Sequence, residues 1–292
     1  MFPGLPANEG IALPEQPTES FLSTDARLIG VGAHDALTAS LVQSSGFDVA
    51  WVGSFEASTY RRLPDINVIT STEMADAVRS VRSGCDLPVF VDADNGYGTD
   101  DAAVRALDQF AAAGADAMCL EDNAFPKRNS LYSTQDRPLE HPDVFSCRLL
   151  RLVARKTDVK IIARTEALVA GLGVDEAVRR LEAYAAAGVD GVFVQANARH
   201  ADQLGEVVSR MAGRVPIVLA PTALPAVSAD EFFDIGANVV IYANVVSRAA
   251  VRSVSRMLAT LRDNRRLDSV TADISALADI FALTGADEWN PQ

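Results

Sequence analysis

Short runs of Val, Ile, Leu and Ala alternate along this chain with longer stretches in which apolar residues recur every three or four positions. The short runs fall at 28–33, 49–54, 88–94, 117–122, 159–165, 191–197, 216–221 and 239–244. Most are continuous, the pattern of parallel strands buried on both faces. The stretches between them read as amphipathic helices with defined ends. TSTEMADAVRSVRSG opens on capping threonines at Thr70 and Thr72, with Glu73 behind them, and closes on Gly84. TDDAAVRALDQFAAAG has Asp100 and Asp101 in its first turn, where negative charge suits the helix dipole, and GVDEAVRRLEAYAAAG ends on Gly188.

One phrase recurs. SGFDVAWV, AGADAMCL, AGVDGVFV and IGANVVIY each run from a helix end through Gly and a short linker into a strand. A βα unit repeated eight times closes into a barrel. An open doubly wound sheet would want a Gly-rich phosphate turn after the first strand, where the chain instead reads HDALTAS. The expected architecture is an α/β fold, a (β/α)8 barrel of the TIM type over residues 23–292, after an irregular arm over 1–22. SRAAVRSVSRMLATLRD and SALADIFALTG exceed what the eighth unit needs. A terminal helix is therefore expected to pack on a neighbouring subunit of a homo-oligomer.

Composition narrows the partners. With 39 acidic against 26 basic residues and a net charge of -13, the chain is unsuited to nucleic acid or to an anionic membrane surface. A small anionic substrate stays possible, because a local Arg or a metal can reverse the sign of the field. No apolar stretch reaches bilayer length and the first residues do not form a signal peptide. Cys85, Cys119 and Cys147 form neither a metal spacing nor an even disulfide set, so a reducing cytoplasm is expected.

Barrel enzymes collect their reactive groups at the C-terminal ends of the strands. Those ends carry Trp51, Gly53 and Ser54, then Asp92 and Asp94, Glu121 and Asp122, Arg164 and Glu166, and Gln195 and Asn197. Asp92 and Asp94, two apart, are expected on one face of their strand. With Glu121 they offer an all-oxygen pocket suited to Mg2+. Isolated acids would otherwise be helix caps or solvated loop charges. Arg164 either pairs with this cluster or grips a substrate anion. Trp51 is a substrate wall or a core residue. The long segment EDNAFPKRNSLYSTQDRPLEH brings Lys127, Arg128, Asn129 and Ser130 together, as a lid over an anion or as a plain surface loop. No nucleophile elbow, Walker loop or zinc helix is present.

GAHDALTASLVQSSGFDVAWVGSFEAS, LPDINV, VDADNGYG, LEDNAFPKRNSL and IIARTEALVAGLG, in that order, resemble the phosphoenolpyruvate mutase branch of the isocitrate lyase superfamily. The resemblance runs from about Leu28 to near Ala278, and DADNGYG and EDNAFPKRNSL are its specific parts. It implies a barrel with an exchanged C-terminal helix, assembled as a dimer or a dimer of dimers. It also implies Mg2+ held by Asp92, with Asp65, Asp94 and Glu121 organising its waters. By the same resemblance Arg164 binds the anionic substrate, and the backbone around Gly53, Ser54 and Phe55 binds its carboxylate. Lys127, Asn129 and Ser130 would belong to a gating loop. The C–C lyases of the superfamily carry a cysteine in that loop and the phosphonopyruvate hydrolases a Thr at Asn129, so the resemblance points to a mutase. Its reaction interconverts phosphoenolpyruvate and phosphonopyruvate in phosphonate biosynthesis; a phosphonopyruvate hydrolase or related Mg2+-dependent lyase is the alternative. Two positions depart from the family. Gly53-Ser54 reverses the usual Ser-Gly order, and Gln195 stands where a His is usual, giving one hydrogen bond to the transferred group and no charge.

Overall fold

The computed structural model describes residues 21–129, 137–155 and 157–285. Eight parallel strands, β1 (Leu28–Gly32), β2 (Val49–Val52), β3 (Val89–Asp92), β4 (Ala117–Glu121), β5 (Lys160–Thr165), β6 (Gly191–Val194), β7 (Ile217–Leu219) and β8 (Val239–Tyr242), form a closed barrel. Among the described residues, ten α-helices follow or cross over between them. These are α1 (Ala36–Ser44), α2 (Ser54–Tyr60), α3 (Ser71–Arg82), α4 (Asp100–Ala113), α5 (Pro142–Val153), α6 (Gly173–Ala186), α7 (Ala201–Met211), α8 (Ala229–Asp234), α9 (Val245–Asn264) and α10 (Leu277–Thr284). All eight expected strands are present. Most end before the expected limit, because the chain turns out of the ladder to build the loops at the barrel mouth.

The helix ends form where the local chemistry dictates. Thr70 accepts from the Glu73 amide while the Glu73 carboxylate accepts from Thr70, a capping box that opens α3. Thr99 caps α4, and Gly114 closes it in the left-handed conformation at φ 91°.

Alternate strand residues face two separate cores. The outer core lies between sheet and helices, where Met74, Val78, Leu107, Phe110, Leu149 and Leu181 are buried. The inner core fills the barrel with Val49, Trp51, Phe90, Cys119, Ile162, Phe193, Val218 and Ile241. Burying each large member contributes roughly 1.5–3 kcal/mol. Leu22 joins this inner set from below, and Phe21 packs on Phe90 with ring centroids 5.5 Å apart. The two residues thus form part of the barrel floor.

Register carries the inner row upward into charge. Asp92 pairs with Cys119, and Glu121 pairs with Arg164, which pairs with Phe193. Asp92, Glu121 and Arg164 therefore continue the inward row that Phe90, Cys119 and Ile162 begin.

The C-terminal helices are organised differently. Of the twenty residues of α9, Ser247 alone is buried, and Val251, Val254 and Leu258 are exposed. Leu277, Ile280 and Phe281 of α10 are exposed as well. No helix among the described residues is long and apolar enough to cross a membrane.

Closure of the barrel sets a steric test. A Cβ on Gly32 would stand 1.8 Å from the Ala243 carbonyl oxygen at the β1–β8 seam. Gly32→Ala is expected to destabilise the fold by about 3 kcal/mol, since backbone must move. Urea unfolding reads this, and an unchanged midpoint would contradict the seam as described.

Candidate active site

Trp51, Gly53, Phe55, Asp92, Asn129, Arg164 and Gln195 line one cleft of about 80 Å³ at the barrel mouth. Glu56, Thr222 and Asn244 complete its wall.

The carboxylates beside it are buried: Asp65, Asp92, Asp94, Glu121 and Glu166 are all 7% exposed or less. Asp92 and Asp94 do not share a strand face, contrary to the sequence expectation. β3 ends at Asp92, and Asp94 stands beyond it at a left-handed φ of 50°, in the turn that the Gly96 amide closes on the Ala93 carbonyl. The Asp94 amide then donates to Asp92 Oδ1 at 3.1 Å, which keeps the two side chains in one cluster.

Two cations hold this cluster. Lys127 Nζ meets Asp65 Oδ1 at 2.8 Å and donates to Ser54 Oγ at 2.8 Å and to Asp94. Ser54 in turn donates to Asp92 Oδ2 at 3.0 Å. Arg164 Nε lies 3.3 Å from Glu121 Oε2 and 2.7 Å from Glu166 Oε1, and its guanidinium stands 5.1 Å from the centre of the Phe193 ring. Asn129 donates to Asp65 Oδ2. Arg137 ties the descending loop down, donating to the carbonyls of Arg128 and Asn129 at 2.7 and 2.6 Å. Ser130 lies outside the described residues.

Behind the cluster, Asp122 accepts from Thr165 Oγ1 and Tyr184 Oη at 2.7 Å, from Arg180 at 3.0 Å and from the Glu166 amide at 2.8 Å. It is a fully satisfied buried carboxylate that fixes the backbone carrying Arg164 and Glu166. Asp122 thus supports the site from behind and does not line it.

Burial dominates the electrostatics of the cluster. Burial raises Glu121 to about 8 against the opposing pull of Arg164. Burial raises Asp94 to about 6, opposed chiefly by Lys127. Burial also works against the charge of Lys127, but Asp94, Asp65, Glu121 and Asp92 together hold its ammonium protonated well beyond the ordinary range. Carboxylates are hard oxygen donors, and a divalent cation among them would favour their ionised form. Among the described residues, however, no three His, Cys, Asp or Glu side chains form a ready-made cage. Mg2+ takes only one or two carboxylates directly and keeps several waters, so the donor set fits that ion without such a cage.

Sequence reading missed Glu56, Asn67 and Asn123. Asn67 donates to Asp94 Oδ2 at 3.1 Å and accepts from the Lys127 amide at 2.5 Å, tying the loop to the cluster. Asn123 donates to Glu121 Oε1 at 2.9 Å. Glu56 is 2% exposed in the short helix after β2, and burial pushes its carboxyl up to about 8. The signal for it was a lone acid three residues after an inward-facing Gly.

A closed parallel barrel with buried carboxylates, a lysine-bearing loop and an inward arginine at its mouth is the frame of a barrel enzyme, and the comparisons place it in the isocitrate lyase/phosphoenolpyruvate mutase superfamily. Residues 20–262 match the family model of phosphoenolpyruvate phosphomutase, and the chain belongs to that family. It is 32% identical over 273 residues to the phosphonopyruvate hydrolase of Variovorax sp. (strain Pal2), covering 92% of this chain and 94% of that protein. The crystal structure of phosphoenolpyruvate phosphomutase from Streptomyces platensis subsp. rosaceus is similar at a TM-score of 0.87 and 34% identity, covering 90% of this chain and 92% of that one. Phosphonopyruvate hydrolase in complex with oxalate and Mg2+ is similar at a TM-score of 0.83 and 32% identity, with 90% and 91% covered.

The raised Glu56 carboxyl gives a stability test in metal-free buffer. Its ionised form is disfavoured only in the folded state, so its contribution to stability is complete below about 4.5 and is lost as pH rises through about 8. Relative to Glu56→Gln, the parent is expected to lose stability across that window, by up to several kcal/mol. Paired thermal melts from pH 4 to pH 9 check this; a constant difference would contradict it.

Proposed function

We propose that this protein is a phosphoenolpyruvate mutase that interconverts phosphoenolpyruvate and phosphonopyruvate. The observation that carries the reading is the loop segment that descends into the cleft: Lys127 and Asn129, 5% and 6% exposed, sit on Asp65, and the loop sequence contains no cysteine. The reaction breaks a P–O bond and forms a P–C bond on one skeleton, so no water and no net proton are consumed. A site for it must position the substrate and exclude water rather than supply a strong base.

The residues divide that work. Arg164, oriented by Glu121, Glu166 and the Phe193 ring, faces the cleft as the cation for the migrating phosphoryl group. Gln195 and Asn129 offer it amide groups from two further sides, and the described part of the loop, through Lys127 and Asn129, shields the cleft from water. Ser130 belongs to the same proposed loop function. Trp51 and the backbone at Gly53, Ser54 and Phe55 receive the carboxylate end. Asp92, with Asp94, Glu121 and Asp65 around it, would hold Mg2+, which when bound supplies electrostatic stabilisation of the 2-oxo acid oxygens.

A hydrolytic outcome has its own support in the likeness to the Variovorax phosphonopyruvate hydrolase. Phosphorus NMR of the protein with phosphonopyruvate and Mg2+ separates the two. A phosphoenolpyruvate resonance is expected; inorganic phosphate alone would make the protein a hydrolase, and no change would overturn both readings. Asp65→Ala removes a partner of Lys127 and of Asn129 and is expected to lower turnover at least a hundredfold. Gln195→His is expected to keep or raise mutase turnover; a large loss would mean that the pocket is built for another substrate.

We also infer a homo-oligomer in the cytoplasm, with a second copy covering the apolar residues that α9 and α10 leave exposed. Light scattering is expected to give a multiple of 31.1 kDa, and a monomer would contradict it.

A further inference from the structure

Glu56 is the buried acid that the proposed mechanism leaves unused. It lies in α2, on the side of the cleft closed by α9, and it lines the same cavity as Asp92 and Arg164. The Ser247 hydroxyl sits between Glu56 Oε1, at 3.3 Å, and the Asn244 carbonyl, at 3.1 Å. The other oxygen, Oε2, folds back over Gly53. A Cβ at position 53 would come within 2.2 Å of Oε2 and 2.9 Å of Trp51 Nε1. The reversed Gly53-Ser54 order therefore has a steric reason. Glycine at 53 leaves room for the Glu56 carboxyl, while the hydroxyl displaced to position 54 bridges Asp92 and Lys127.

The charged surroundings of Glu56 are like-signed. Asp92, from the end of β3, and Asp65, ahead of α3, both act on it, and Ser247 from α9 offers only a hydroxyl. Arg164 shares the cleft but is engaged by Glu121 and Glu166. Among the described residues no cation pairs with Glu56. A carboxyl buried to this degree with no cation paired to it is held as the neutral acid, and in that form it has a hydrogen to donate.

We propose that Glu56 is a substrate-binding residue of this chain, whose carboxyl donates a hydrogen bond to an oxygen of the bound small oxyacid. The group narrows the substrate class to acids that present an acceptor oxygen toward Gly53 and α2, and it disfavours those that present an apolar group there. The proposal rests on the reading of the cleft as an oxyacid site, but not on mutase activity.

The test is binding of oxalate in the presence of Mg2+, measured by calorimetry, for the parent and for two variants of similar side-chain volume. Glu56→Gln keeps a donor, and Glu56→Met fills the same space without one. Thermal melts confirm folding, and Glu56→Ala replaces Glu56→Met if the latter does not fold. Glu56→Gln is expected to bind oxalate within about threefold of the parent, and the donor-less variant at least tenfold more weakly. Equal affinities of the two variants, whether both near the parent or both weakened, would overturn the role of Glu56 and leave the oxyacid reading intact. Failure of the parent to bind oxalate would overturn the oxyacid reading, and this proposal with it. Mutase activity is scored separately by the phosphorus NMR experiment.

Discussion

The arrangement at the barrel mouth depends on the burial of Lys127 and Arg164 among carboxylates. Asp65, Asp94, Glu121 and Glu166 each touch one of these two cations, and without them the inward row of the barrel could not end in charge. Removing one partner from a buried pair costs far more than the pair contributes when intact. The cluster is therefore an all-or-none arrangement. This constrains the loop after β4 as well, because its lysine is one of the two cations and must reach the cluster from outside the barrel.

The barrel was legible in the sequence because its cause is local. Continuous apolar runs, capping residues such as Thr70 and Thr99, and terminal glycines each act within a few positions. Strand ends were less legible, because a hydrophobic pattern does not register where the backbone leaves the ladder. The turn at Asp94 shows the limit: spacing alone put Asp92 and Asp94 on one strand face, but β3 ends at Asp92 and Asp94 joins the same cluster from a left-handed turn beyond it. The acids and Arg164 could still be picked out, since a charge that ends an apolar strand is costly to bury unless a partner or a ligand meets it there. Asp65 was reached only through family resemblance, because nothing in its local sequence sets it apart from a surface acid.

What remained hidden depended on contacts distant in the chain. Asn67 meets Lys127 across sixty positions. Glu56 meets Ser247 across 191. Neither residue carries a local mark of its partner. Gly53 and Ser54 are instructive in another way: as a motif they were only a departure in order, and the space above Gly53 gives that order a physical reason.

The loop that carries Lys127 and Asn129 is also joined at its base. Asn123 bridges Leu139 in antiparallel fashion, the Ala124 amide donates to the Pro138 carbonyl at 3.0 Å, and the Glu140 amide donates to the Asp122 carbonyl at 2.8 Å. Much of the entropy of bringing its ends together is thus lost within the stem itself. The joined stem fixes where the described segment through Asn129 leaves the barrel wall, so Lys127 reaches Asp65 from an anchored base.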